Sequence, residues 1–312
     1  MERLLIFLVA GFVAQMIDGS LGMGFGVIGT SVLVAGGATA AAASAVIHAA
    51  KMGTAVVSGG AHWRFGNVHW RTVLLLGIPG AVGGYVGATF LASIDGDAFA
   101  PVTSVILLVL GVYMLARFAF GVSRASADPS HLRPHFLVPL GLFGGVIDAI
   151  GGGGWGPVTT PTLMTAGRME PRTAIGSVSL AEFLVALAAS IGFLTHLGSE
   201  EVDWAQVGAL MLGAVMVAPF AAWIVKILPA RVLGTFVAGL IIVLNARTLL
   251  MRAGAPTVLI YLVVIAAIAG SIFLVARAWV VARAEQPLLD EARRIHEART
   301  AAADDSATEV IG

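Results

Sequence analysis

The sequence predicts an all-α protein. It reads as a polytopic transmembrane helical bundle, with two inverted five-segment repeats, broken helices at the centre and one extra C-terminal transmembrane helix. Three observations carry this reading. Of the 312 residues, 58% are hydrophobic and only 12% are charged, whereas a soluble domain carries about 25% charged residues. Apolar runs of membrane-spanning length recur along the chain. A glycine-rich motif appears twice at a constant shift.

A balance this apolar leaves too little polar surface to cover a soluble fold, and the mean hydropathy of +0.94 agrees. The solvent for most of the chain is therefore lipid. A spanning helix needs roughly 20 apolar residues. The stretches 40–60, 70–93, 101–120, 173–195, 204–227, 231–251 and 257–281 meet that length. Four others, 4–17, 26–36, 136–149 and 157–167, are apolar but short. They form two pairs, each split by a glycine-rich break.

The breaks reveal the repeat. The first half reads Gly11-x5-Ile17-Asp18-x3-Gly22-x-Gly24-Phe25-Gly26, and the second Gly141-x5-Ile147-Asp148-x3-Gly152-x-Gly154-Trp155-Gly156. Each named residue of the first recurs 130 positions later in the second, except that Trp155 stands where the first has Phe25. Further on, His62-x5-Val68-x-Trp70 recurs as His196-x5-Val202-x-Trp204, shifted by 134 through a four-residue insertion. Residues 4–120 and 136–252 are thus two copies of one five-segment unit. The segment 257–281 is an addition.

An odd number of segments starts the second copy on the opposite side of the membrane. Loop charges agree, because cytoplasmic loops are enriched in Lys and Arg. Arg64 and Arg71 follow the third segment of copy one, while Glu200, Glu201 and Asp203 follow that of copy two. Asp95 and Asp97 follow the fourth segment of copy one, where copy two has Lys226 and Arg231. Arg117, Arg124, Arg133, Arg168 and Arg172 also fall on the positive side; Arg247 and Arg252 do not. An inverted repeat of this kind is found in many secondary transporters.

The expected organisation is a first transmembrane repeat over 1–122, a cytoplasmic linker over 123–135, a second repeat over 136–252, an extra transmembrane helix over 253–283 and a charged cytoplasmic tail over 284–312. The run at 1–19 is read as the first membrane segment, since no small-x-small cleavage site follows it. The tail, with Arg283, Arg293, Arg294 and Arg299, is expected to be solvated and partly disordered; Leu288, Leu289 and Ile295 could instead rest on the headgroup layer. The expected location is the cell membrane, with a cytoplasmic C-terminus.

The breaks are also where chemistry is expected. Backbone at membrane depth is tolerated only where it lines a cavity or is buried in protein. The stretches 18–26 and 148–157 should interrupt helices, with new half-helices beginning near Gly26 and Gly156. Pro157 suits a first helical turn. Free amides and the positive dipole end would then favour an anion. Gly22, Gly24, Gly26, Gly152, Gly154 and Gly156 are the candidate binding backbone; the bland reading is that these glycines only allow close helix packing.

Ionisable residues inside apolar segments are costly and usually functional. Asp18 and Asp148 precede the two breaks. They could couple protons or sodium, or cap the broken helices. His48 and Lys51 lie one turn apart in the third segment, and Glu182 sits in the matching segment of copy two, aligned with His48 at the 134 shift and with Lys51 at an offset of 131. A Lys51–Glu182 pair between copies would reduce the cost of burying each, and Lys51 could attract an anion. Ser44, Ser177 and Ser179 flank these groups and could line a polar path or serve as packing contacts. The candidate ion-coupling set is therefore Asp18, Asp148, Glu182 and His48. Lys51, Ser44 and Ser177 join the glycines as candidate substrate contacts.

Other classes lack support in the residues. Net charge is zero, which gives no pull toward nucleic acid. Cysteine is absent, which removes thiolate metal sites and cysteine nucleophiles. Gly22-x-Gly24 and Gly152-x-Gly154 do not extend to a dinucleotide fingerprint, and no Walker lysine follows. His62, His69 and His196 stand beside Trp63, Trp70 and Trp204 at segment ends, where interfacial aromatics are expected. No metal, cofactor or enzymatic motif is read.

The duplicated glycine–aspartate elements, with Asn67-Val68-x-Trp70 and Glu201-Val202-x-Trp204, resemble the TauE/SafE family of membrane proteins over residues 4–252. The resemblance implies an exporter or permease for a sulfur-containing anion such as sulfite or an organosulfonate, or for a related small organic acid. It maps 18–26 and 148–156 onto the family's two signature loops. The expected partners are a small anionic substrate, a coupling proton or sodium and the lipid bilayer. A homodimer is compatible with this reading but not required. A passive anion channel shares the same composition, and an intramembrane enzyme would need a nucleophile–base pair that the sequence does not display.

Overall fold

The computed structural model describes residues 2–94, 96–120, 133–165, 169, 171–200, 202–227 and 230–309, and every regular element among them is helical. The helices are α1 (Glu2–Leu21), α2 (Phe25–Ala35), α3 (Ala40–Arg64), α4 (Trp70–Ala92), α5 (Gly96–Leu115) and α6 (Pro134–Gly151). They continue as α7 (Trp155–Thr165), α8 (Pro171–Leu197), α9 (Trp204–Ile227), α10 (Ala230–Arg252) and α11 (Thr257–Glu309). A π-helical turn, Ala116–Phe120, closes α5. Asp95, Arg124, Arg168 and Glu201 lie outside the described residues, as do the side chains of Asp97, Arg172, Lys226, Leu288, Leu289, Arg293, Arg294, Ile295 and Arg299.

Among the described residues, seven helices carry a stretch long and apolar enough to cross a membrane: α3, α4, α5 with its π turn, α6, α8, α10 and α11. The expectation of a helical membrane bundle is met. One detail differs. The stretch expected as a short segment at 136–149 is an 18-residue helix that itself qualifies, and α1 runs for 20 residues. Each break therefore joins a long helix to a half-length one of 11 residues. The reason lies in where the chain turns. Asp18, Gly19, Asp148 and Gly151 remain helical. The helix ends only when Gly22 and Gly152 adopt φ of 65° and 69°, a left-handed conformation that glycine takes without a Cβ clash.

Among the described residues, side-chain caps start two of the long helices. Thr39 Oγ1 accepts from the Ala42 amide at 3.2 Å at the start of α3. Asp203 Oδ1 accepts from Ala205 and Gln206 at 3.0 and 3.1 Å at the start of α9. Each satisfies a backbone donor that the first helical turn leaves without a partner.

Packing follows the repeat. Helix α1 lies along α9, and α6 lies along α4. Gly11 faces the Leu210 carbonyl, and Gly141 faces the Leu76 carbonyl, so closely that a Cβ at either glycine would strike the backbone. These are the same pair of positions at the 130 and 134 shifts. Small residues that let backbones approach are the usual seam between membrane helices. Helices α3 and α8 meet at the centre, with α2 against α3 and α7 against α8. Helices α5 and α10 pair, and α11 lies outside on α10 through Val232, Ala278 and Ala282.

Large apolar side chains cover the outside, including Leu5, Leu74, Val109, Phe143, Ile265 and Phe273. The most apolar 18-residue window of α11 has mean hydropathy 2.9, and none of it is buried by the rest of the chain. A helix apolar all round that the protein touches on one side only belongs in lipid. Trp63 and Trp70 pack edge to face at 6.2 Å, both exposed at the α3–α4 turn.

The tail differs from expectation. Instead of a partly disordered segment after residue 283, α11 continues unbroken to Glu309. Ala, Glu and Arg dominate this stretch, and all three are strong helix formers.

Candidate functional site

The polar residues of the interior converge where the two copies meet. Helix α3 contributes His48 and Lys51, α6 contributes Asp148 and α8 contributes Glu182. His48 and Asp148 are fully buried, Lys51 is 2% exposed and Glu182 is 8% exposed. Lys51 Nζ stands 3.0 and 3.2 Å from the two carboxylate oxygens of Asp148 and 2.6 Å from Glu182 Oε1. The ammonium is therefore shared between both carboxylates. Breaking a buried pair of this kind leaves a bare charge, at a cost of about 3–5 kcal/mol.

His48 holds the other side of Asp148. Its Nε2 lies 3.1 Å from Asp148 Oδ2. Its Nδ1 lies 2.8 Å from the Ser44 carbonyl, one turn earlier on the same helix. Ser44 Oγ donates to the Ala149 carbonyl at 2.6 Å, which ties α3 to α6 beside the cluster. Phe193 covers the imidazole at 5.9 Å between centroids.

The two aspartates of the repeat do the same backbone work. Asp148 Oδ1 accepts from the Trp155 amide at 2.9 Å, and Asp18 Oδ1 accepts from the Phe25 amide at 3.4 Å. Both bonds span seven residues, reaching over a glycine break to the first residue of a half-helix. Both carboxylates thus sit at the positive end of a helix dipole. Asp18 is 8% exposed and has no cation within bonding distance among the described residues.

The glycine breaks lie directly against each other. Gly26 abuts Gly152 and Gly153, and Gly156 abuts Gly22 and Met23. Thr30 Oγ1 donates to the Gly152 carbonyl at 2.7 Å, and Thr160 Oγ1 donates to the Gly22 carbonyl at 2.9 Å. Thr30 and Thr160 are themselves 130 residues apart. The exchange is reciprocal: each half-helix binds the other copy's break, as in an isologous interface.

Of the expected site residues, the fold brings Lys51, His48, Asp148 and Glu182 into direct contact and sets Ser44 beside them. Gly22, Gly24, Gly26, Gly152, Gly154 and Gly156 are all buried at the crossing of the breaks. Ser177 is placed differently. Its hydroxyl accepts from the His69 amide at 2.9 Å, at the α3–α4 turn. The half-helices begin at Phe25 and Trp155, one residue before the expected Gly26 and Gly156, with Pro157 in the first turn of α7.

Sequence reasoning paired Lys51 with Glu182 but missed Asp148 as the acid that Lys51 and His48 share. It also missed Thr30 and Thr160. Their identity at the 130 shift was the available signal. Trp155 is fully buried, and its indole donates to the Val178 carbonyl at 3.1 Å, fastening α7 to α8. Asn245, likewise overlooked, donates to Ser31 Oγ at 2.9 Å and joins α10 to α2.

An apolar multi-helix shell, broken helices at its centre and buried charges between two halves define a membrane transport protein. Residues 7–248 match the family described as sulfite exporter TauE/SafE. The chain belongs to that family. It is 46% identical over 252 residues to the probable membrane transporter protein YtnM of Bacillus subtilis (strain 168), covering 80% of this chain and 84% of the relative. The probable membrane transporter protein YdhB of the same strain is 26% identical over 173 residues, covering 55% of this chain and 69% of the relative. A probable membrane transporter protein of Xylella fastidiosa (strain 9a5c) is 25% identical over 163 residues, covering 50% and 58% respectively. No solved structure matches the chain.

Proposed function

We propose that this membrane transporter moves a small anion, of the sulfur-containing class such as sulfite or an organosulfonate, by alternating access driven by an ion gradient. The observation that carries the reading is Lys51, an ammonium 2% exposed at the meeting of α3, α6 and α8. A buried cation beside two helix starts is suited to negative charge. The helix starts already hold anions of the protein's own, the Asp18 and Asp148 carboxylates. In this reading a substrate anion takes their place on Lys51 and on the amides around Gly22, Gly24, Gly26, Gly152, Gly154 and Gly156. Ser44 and Ser177 flank its path. Asp18, Asp148, Glu182 and His48 couple the movement to protons or sodium.

The family's description supports the substrate class. The two copies, 1–122 and 136–252, are the bodies that rock about the site, in opposite orientations in the cell membrane. The linker 123–135 and the tail 284–312 are cytoplasmic, and 253–283 is an added membrane helix. The test is uptake of labelled sulfite into inside-out vesicles with and without an imposed pH gradient, for the native chain and for D18N/D148N. Gradient-driven accumulation abolished by the double substitution supports the reading. Sulfite that never accumulates removes that substrate and leaves other small organic acids. Flux that equilibrates without concentrating, and ignores the substitutions, makes the protein a passive pore.

A further inference from the structure

The hydrogen bonds around His48 and Lys51 constrain how an anion can enter. Ser44 Oγ, 3.2 Å from His48 Nδ1, spends its one proton on the Ala149 carbonyl, and the Ser44 carbonyl, 2.8 Å from Nδ1, can only accept, so Nδ1 is assigned as the donor there. The other ring nitrogen faces a carboxylate oxygen at 3.1 Å. Two lone pairs at that distance repel, so a proton lies between Nε2 and Oδ2. Either the ring is an imidazolium or Asp148 is protonated; in both cases the pair holds one proton beyond the neutral ring and free carboxylate. It is fully buried, so the proton cannot leave without an opening of the site.

The charges then count as follows. Lys51 faces Asp148 from α6 and Glu182 from α8, His48 lies one turn away on α3 itself, and Asp18 of α1 borders the same centre. With the shared proton in place, His48 and Asp148 sum to zero. Lys51 then stands against two carboxylates, Asp18 and Glu182, when both are ionised. No positive charge is spare. An incoming anion must displace Asp148 from Lys51 and from the Trp155 amide, and it can do so without leaving a bare buried carboxylate only if Asp148 has become a neutral acid. The proton for that step is already at hand on His48 Nε2, and its transfer to Oδ2 leaves a neutral imidazole.

We propose that the coupling ion is a proton carried on the His48–Asp148 pair, and that it is bound together with the substrate anion on Lys51, so that the two cross the membrane in the same direction. The proposal rests on the anion reading above and names its coupling ion and sign. In the cycle, the proton moves from Nε2 to Asp148 Oδ2, the ammonium exchanges Asp148 for the anion, and both ligands depart on the far side. The returning empty carrier has the Lys51–Asp148 bridge closed. Proton and anion binding are then reciprocally linked.

The test uses the full chain in proteoliposomes with a pH indicator trapped in the lumen and the membrane potential clamped. The probe is methanesulfonate, whose charge does not change over the working range and which carries no proton of its own. An inward methanesulfonate gradient is expected to acidify the lumen. In counterflow, its apparent affinity is expected to fall about tenfold per unit of pH above the pair's midpoint, the limit for one linked proton. D148N and H48Q are each expected to flatten that pH dependence. Methanesulfonate flux with no lumen pH change, or with alkalinisation, overturns the co-transport and leaves the anion reading standing. Absence of sulfonate flux at every pH overturns both. Should the variants fail to insert, nitrogen NMR of histidine-labelled native protein in nanodiscs decides separately. A neutral ring with a bare Nδ1 and a proton fixed on Nε2 would overturn the shared proton; a protonated Nδ1 with a proton between Nε2 and Asp148 upholds it.

Discussion

Asp148 accepts the amide of Trp155 at 2.9 Å while the same carboxylate holds Lys51 at 3.0 Å and His48 at 3.1 Å. Its counterpart Asp18 makes the equivalent bond to Phe25 at 3.4 Å and has neither of the other two partners among the described residues. The two copies keep one structural role at this position and differ in the other. Asp148→Ala is therefore expected to destabilise the protein by about 3–5 kcal/mol, because Lys51 and His48 lose a shared counter-ion. Asp18→Ala is expected to cost about 0.5–2 kcal/mol, the range for a lost cap. Denaturant unfolding in mixed micelles compares the two. Equal losses would mean that the cation contacts add nothing to stability.

The Lys51–Glu182 contact of 2.6 Å joins α3 of the first copy to α8 of the second. Lys51→Met removes the central cation and leaves Glu182 without its partner, and Glu182→Gln leaves Lys51 with Asp148 alone. The double substitution is expected to be less damaging than the sum of the two, with a coupling of about 0.5–3 kcal/mol. A double-mutant cycle on the unfolding midpoint measures it. Methanesulfonate exchange should be lost in Lys51→Met whether or not stability is restored by Glu182→Gln, because the anion's cation is absent in both. Exchange that returns in the double variant would remove Lys51 from the substrate path.

Much of this centre was legible in the chain, for a physical reason. Membrane interiors tolerate few charges, so Lys51, Asp148 and Glu182 stand out against an apolar background, and opposite charge paired Lys51 with Glu182 although the 134 shift aligns Glu182 with His48. The repeat located the starts of both half-helices to within a residue, while the preceding helices run past Asp18 and Asp148 until a left-handed turn selects glycine at Gly22 and Gly152. What the sequence hid was convergence. Nothing in the spacing of Asp148, which lies 100 positions from His48 and 97 from Lys51, shows that α6 presents its acid to α3; that depends on the α4–α6 seam through Gly141. Ser177 has the composition of a site residue and a place in the matching segment, yet its hydroxyl serves the backbone of His69 at a turn. The tail was misjudged because charge content was weighed above helix propensity.

The crossing of the breaks makes a prediction about space. Gly153 lies against the backbone of Gly26 and Val27, where no side chain can yield. Gly153→Ala is expected to cost about 1–3 kcal/mol, the range for an overpacked interior. Gly270→Ala, on a face of α11 with nothing within 4 Å, is expected to stay within about 0.5 kcal/mol. The same unfolding assay compares them. A neutral Gly153→Ala would show that the two breaks can separate at little cost.

The inverted arrangement proposed for the two copies predicts opposite exposure for matching turns. Phe65, 78% exposed, lies in the α3–α4 turn, and Ser199 lies in the α8–α9 turn that matches it in the repeat. The first turn is flanked by Arg64 and Arg71, the second by Glu200 and Asp203, so the positive-inside bias puts the first in the cytoplasm and the second outside. The natural chain has no cysteine, so single substitutions Phe65→Cys and Ser199→Cys can be read without background. In intact cells an impermeant maleimide is expected to label Ser199→Cys and to spare Phe65→Cys, with the pattern reversed in inside-out vesicles. Labelling of both from one side would place the two copies in the same orientation. The reciprocal Thr30–Gly152 and Thr160–Gly22 bonds would then relate them about an axis normal to the membrane instead of one lying within it.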